Sequence, residues 1–112
     1  MKFSDPHQVI VTVDAKKTVT CTPENVAVSG CDTVLKFVLQ TAGYVFPKEG
    51  AVVVTDPGKQ FPFPSRTLPK QPTKATLYDH NTVGGDFKYS VYVEDVATGK
   101  VLFVDPTIQN DA

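Results

Sequence analysis

The sequence predicts an all-β protein, an immunoglobulin-like β-sandwich of two antiparallel sheets, with residues 1–112 forming a single domain. Three observations carry that expectation. Short runs of β-branched and aromatic residues alternate apolar with polar, Gly/Pro clusters punctuate them, and no segment shows helical spacing. A chain of 112 residues with 41% hydrophobic content is also long enough to bury one core without staples.

Residues 7–13 are β-branched and alternate cleanly toward their end, which reads as a strand. Residues 14–17 turn the chain, and 18–22 alternate with period two as the returning strand. Pro23 breaks the pattern, and 26–28 form a short strand closed by Ser29-Gly30. Residues 33–40 carry bulky apolar side chains on both sides of the pleat, interrupted only by Lys36, and read as a central strand. Residues 42–46 and 51–55 flank a Pro47-Lys48-Glu49-Gly50 turn and predict a hairpin.

From 56 to 73 the composition changes. Five of the nine prolines fall here, and proline fixes φ and lacks a donor, so the stretch reads as a long extended loop pinned by Phe61, Phe63 and Leu68. Residues 75–79 resume the strand pattern and 80–85 turn. A last hairpin then follows, with strands at 87–94 and 100–108 joined through Ala97-Thr98-Gly99.

Net charge is −1, and the lysines are scattered, so no basic stripe points to nucleic acid. No apolar run approaches the ~20 residues that cross a bilayer, and the first residues lack a signal-peptide pattern. These features predict a cytoplasmic chain with no membrane association, in which Cys21 and Cys31 stay reduced. No cofactor is expected, and no metal either. The only Met is Met1, and neither His7 nor His80 lies close in sequence to a Cys, as copper or zinc spacing would require. No Gly-x-Ser-x-Gly elbow is present.

One chemical feature stands out. In an Asp-Pro bond the aspartate carboxylate lies within reach of its own main-chain carbonyl, and proline leaves as a secondary amine of high basicity. Three such bonds occur: Asp5-Pro6, Asp56-Pro57 and Asp105-Pro106. The third ends an apolar strand, where a neighbouring strand brings other groups close. A tight turn at Thr98-Gly99 places Asp105 roughly opposite Tyr92 or Val91, depending on whether Gly99 makes a bulge. In the first register Lys88 shares a face with Asp105, about two residue pairs away. A buried lysine there sheds its proton and becomes a nucleophile toward an activated Asp105 carbonyl, giving an amide cross-link. Attack by water cuts the chain instead.

The string Gly84-Gly85-Asp86-Phe87-Lys88-Tyr89-Ser90-Val91, with Thr98-Gly99-Lys100 and Val104-Asp105-Pro106-Thr107-Ile108-Gln109-Asn110, resembles the bacterial DP-EP family of small β-sandwich proteins. The likeness covers the last thirty or so residues. It implies an immunoglobulin-like sandwich and self-cleavage at Asp105-Pro106, with Lys88 joined to the aspartate. No Glu-Pro dipeptide is present, so half of that family's name has no counterpart. For the acid that activates water, Asp86, on the strand face of Lys88, and Asp79 are the candidates. The expected function is a single-turnover, aspartic-peptidase-like self-processing domain. The alternative is a non-catalytic domain binding a protein partner through an open sheet edge or the proline-rich loop. Oligomeric state is not encoded in any of these patterns.

Overall fold

The computed structural model describes residues 7–111. In chain order the strands are β1 (Gln8–Val13), β2 (Val19–Thr22), β3 (Asn25–Val28), β4 (Thr33–Leu39), β5 (Tyr44–Val45), β6 (Val52–Val54), β7 (Arg66–Leu68), β8 (Gln71–Asp79), β9 (Gly85–Asp95), β10 (Val101–Val104) and β11 (Thr107–Asn110). The described residues contain no helix. The fold is all-β with two sheets, compatible with a β-sandwich. One sheet has the order β2-β1-β4-β8-β7; the other runs β10-β9-β11-β3, with β5 and β6 also on β9.

Neither sheet is purely antiparallel, which corrects the sequence expectation. β1 and β2 form the expected hairpin, but the chain then enters the second sheet as β3 before returning as β4. That excursion reverses its direction once more, so β4 lies parallel to β1. β3 and β11 are parallel as well. β4 is central in its sheet, between β1 and β8.

Alternation decides what is buried. Val9, Val11, Leu35, Phe37 and Leu77 from the first sheet meet Val26, Val28, Tyr89, Val91, Val93 and Ile108 from the second. Phe37 and Tyr89 pack edge to face at the centre, with ring centroids 5.8 Å apart.

Two further expectations change. The segments around 42–46 and 51–55 do not pair with each other. Both β5 and β6 pair with β9 instead, because the connection between them buries Phe46 and Ala51 rather than closing a tight turn. The proline-rich loop ends at Ser65, where β7 begins. β7 and β8 then form an irregular hairpin across Pro69-Lys70. Pro72 fits inside β8 because the β4 ladder begins only at Lys74, so its missing N–H removes no bond to β4. Phe61 pins the loop, buried and edge-on to Phe87 at 5.3 Å. Phe63 stays 62% exposed, resting on Tyr78 with ring centroids 5.7 Å apart. Leu68 is half-buried.

Candidate functional site

The long strand β9 organises the site. Both β10 and β11 pair antiparallel with one edge of β9 in a single register. Val104 faces Val91 and Thr107 faces Lys88. Asp105 and Pro106 fill the interval between them, so Asp105 lies across from Ser90 and Pro106 across from Tyr89. The turn explains why this differs from the expected Tyr92 or Val91. Asp95 N–H donates to the Lys100 carbonyl at 2.8 Å, closing a four-residue loop of 96–99 in place of a two-residue turn. The longer loop slides each pair by two residues relative to the tight-turn register. Parity is preserved, so Asp105 and Lys88 share a face and come one pair closer than expected.

Tyr89 N–H donates to the Pro106 carbonyl at 3.1 Å, which identifies Tyr89/Pro106 as a hydrogen-bonded pair of the antiparallel ladder. The reciprocal bond cannot form, because proline has no N–H. Ser90/Asp105 is then a non-hydrogen-bonded pair, the type in which side chains approach most closely. Ser90 Oγ donates to Asp105 Oδ1 at 2.6 Å. Lys88 Nζ reaches diagonally and donates to the Asp105 main-chain carbonyl at 3.0 Å. The acceptor is the carbonyl of the Asp105-Pro106 bond itself. Pro106 is buried toward the core, beside a cleft of about 150 Å³ lined by Val19, Cys21, Glu24 and Val104.

The remaining sequence candidates lie elsewhere. Lys88 and Asp105 are exposed, so the burial that an amine nucleophile was expected to draw on is missing. Asp86 is on the same outer face but opposite Gln109, four residues beyond Asp105, or roughly 13 Å along the strand. Asp79 points inward at the end of β8, where its Oδ1 accepts Asn110 Nδ2 at 3.2 Å. Asn110 is five residues beyond Asp105, so Asp79 cannot serve as a base at that bond. Burial raises the Asp79 carboxyl above the ordinary carboxylate range, partly offset by hydrogen bonds from the Asn81 N–H and Asn110. Asp56-Pro57 lies in a loop, and Asp5-Pro6 falls outside the described residues.

Ser90 was not singled out by the sequence reading. The signal was its parity: on β9 it sits between Lys88 and Tyr92 on the face that meets Asp105.

A second polar group lies among exposed and half-buried side chains at one end of the first sheet. Asp32 Oδ1 accepts from Tyr78 Oη and contacts His80 Nδ1 at 2.8 Å. These hydrogen bonds hold the Asp32 carboxyl below its usual range and push the Tyr78 phenol up to about 12. Among the described residues, no three His, Cys, Asp or Glu side chains cluster as metal ligands. No helix there is long and apolar enough to cross a membrane. Cys21 is buried, Cys31 exposed, and both are free thiols. Neither a scan against protein-family models nor a search among curated proteins finds a match to the chain.

Proposed function

We propose that the chain is a single-turnover self-processing domain that cuts its own Asp105-Pro106 bond, on an immunoglobulin-like sandwich of the DP-EP kind. The observation that supports this reading is the pair of contacts on Asp105: Lys88 Nζ on the scissile carbonyl oxygen at 3.0 Å and Ser90 Oγ on Oδ1 at 2.6 Å. The Ser90 hydroxyl holds one carboxylate oxygen and leaves Oδ2 free. Oδ2 attacks the main-chain carbonyl carbon of the same residue, forming a C–O bond. The C–N bond to Pro106 breaks, and the proline nitrogen takes a proton from water and leaves as an amine. Water then opens the cyclic anhydride, so one water is consumed overall. Negative charge develops on the carbonyl oxygen during attack, where the Lys88 cation stabilises it. Lys88 is thus an electrostatic donor in the cutting reaction. An amide between Lys88 Nζ and the Asp105 side-chain carboxyl forms a C–N bond and expels one carboxyl oxygen as water with the main chain intact; it needs a free amine, and it is the minor branch.

Ile108 and Asn110 are buried, and β11 lies between β9 and β3, so a cut chain keeps its last segment in place until unfolded. Denaturing intact-mass spectrometry after mildly acidic incubation is the test. Loss of residues 106–112 marks cleavage, and loss of a single water marks the amide. A full-length unmodified mass refutes both. The free state of Cys21 and Cys31 fits a reducing compartment such as the cytoplasm.

One observation favours a second reading, a non-catalytic interaction domain. β10 ends its sheet, and Val101 and Phe103 are more than half exposed on it. An open edge recruits extended strands. Replacing Asp105 by Ala separates the two readings, since it stops chain modification and leaves strand binding intact.

A further inference from the structure

The Asp105-Pro106 bond has two faces, and they carry different chemistry. Lys88, Ser90 and the Asp105 carboxylate lie on the outer face of the second sheet. Pro106 has the opposite parity, shared with the fully buried Ile108, and turns its ring toward the core. β3 runs parallel to β11, with Asn25 level with Thr107 and Val26 level with Ile108. One residue earlier, Glu24 is level with Pro106, and the Thr107 N–H donates to the Glu24 carbonyl at 3.3 Å. Glu24 shares the parity of Val26 and Val28, which are both fully buried. An acid at the inward position of a strand, instead of on its solvated face, calls for a reason.

Glu24, Cys21, Val104 and Pro106 line one cleft of about 150 Å³, roomy enough for a bridging water. Glu24 stands at its lip, exposed. Its charge adds to the effect of burial in pushing the Cys21 thiol up to about 12, which orients the carboxyl toward the cleft. Among the described residues lining it, Glu24 is the one carboxyl, and Cys21 holds its proton too tightly to give it up.

Breaking the bond makes a demand on this side. Proline leaves as an amine, so its nitrogen must gain a proton as the C–N bond breaks. Oδ2 attacks the planar peptide unit from the outer face. The nitrogen lone pair then develops anti to the new C–O bond, on the inner face. Lys88 and Ser90 are engaged on the carbonyl oxygen and on Oδ1, both from the other side.

We propose that Glu24 is the general acid of the self-cleavage, protonating the Pro106 nitrogen from the cleft, directly or through one water. The inference rests on the self-processing reading. The Glu24 carboxyl gives up its proton as the C–N bond breaks, and Pro106 leaves as a neutral secondary amine. Opening of the anhydride by water releases the proton that converts this amine to an ammonium, with the Glu24 carboxylate beside it as counter-ion. A single turnover needs no further proton on Glu24. Bulk water is the slower donor, and it sustains a residual rate when the carboxyl is removed.

The test follows release of residues 106–112 by denaturing mass spectrometry in the full chain and in Glu24→Gln and Glu24→Ala. Glu24→Gln keeps the shape and loses the acidic proton. Cutting slows by about 10², the low end of a general acid's contribution, because water competes at an exposed group. The melting temperature stays that of the parent, as for other exposed substitutions. Glu24→Ala is slowed equally, and formate buffer, small enough for the opened cleft, restores part of its rate in proportion to concentration; Glu24→Gln is not restored. A parent that cuts alongside a Glu24→Gln chain of equal rate overturns the role of Glu24 and leaves self-cleavage standing. A loss in Glu24→Ala that formate does not restore assigns Glu24 to packing and overturns it as well. A parent that never cuts removes the self-processing reading, and this proposal with it.

Discussion

Replacing Lys88 by Met removes the charge from the Asp105 carbonyl while keeping a side chain of similar length. The size of the effect follows from the contact. A full charge developing on the Asp105 carbonyl oxygen, 3.0 Å from Lys88 Nζ, is stabilised in bulk-water dielectric by an energy equal to about a tenfold rate change. Bulk dielectric is appropriate because both groups are exposed. A buried donor of this kind is worth about 10²–10³, so exposure here costs the site much of its power. Salt supplies the control. At about 1 M the screening length falls to roughly 3 Å, and the Lys88 advantage shrinks to about two- to threefold, while Lys88→Met is nearly salt-independent. The assay is the cleaved fraction against time, by denaturing mass spectrometry at low and high salt. Equal rates for Lys88→Met and the parent at low salt would show that the lysine contact has no role in cleavage.

Ser90→Ala frees the Asp105 carboxylate to rotate. It should slow cutting severalfold, with Ser90→Thr restoring part of the rate because it keeps the hydroxyl. Tyr89→Phe should leave the fold as stable or raise its stability by about 1 kcal/mol in urea unfolding, because the Tyr89 hydroxyl is buried without a partner; a loss of more than that would mean a partner exists. The Asp95 carboxyl is lowered chiefly by the Ala97 N–H, with help from Lys17. Its stabilisation is therefore present above the unfolded carboxyl value of about 3.9 and lost as pH falls through the lower folded value. Asp95→Asn should be less stable than the parent at neutral pH and converge with it in acid; a constant difference across that window would contradict the linkage. A thiol reagent should label Cys31, which is exposed, at once. Cys21 is 4% exposed, with its thiol pushed up to about 12 by burial, and should react only on unfolding.

The all-β architecture was legible because Val, Ile, Thr and Phe alternate with polar residues over most of the strands. The long β9 and the hairpin to β10 were read directly. Register was harder. It depended on whether the turn held two residues or four, and the closing Asp95–Lys100 bond is a pairing that composition does not encode. The face shared by Lys88 and Asp105 survived that error because a two-residue slip preserves parity. The parallel pairings of β1 with β4 and β3 with β11 were not legible, since alternation gives no strand direction. Nor was the placement of β5 and β6 on β9, which depends on where Phe46 and Ala51 find burial. The Asp79 cluster left one unused signal. Ala75, Leu77 and Asp79 have the same parity on β8, so a carboxylate was already placed on a core-facing position. Asn110, its partner, is distant in sequence and comes into contact only through the fold.

The most direct measurement is the chemical nature of any new end formed on incubation of the purified chain at mildly acidic pH. N-terminal sequencing of the denatured products should return Pro106-Thr107-Ile108 from the parent and nothing from Asp105→Ala. A parent chain that yields no such end, or an Asp105→Ala chain that yields the same one, would contradict a reaction driven by the Asp105 carboxylate.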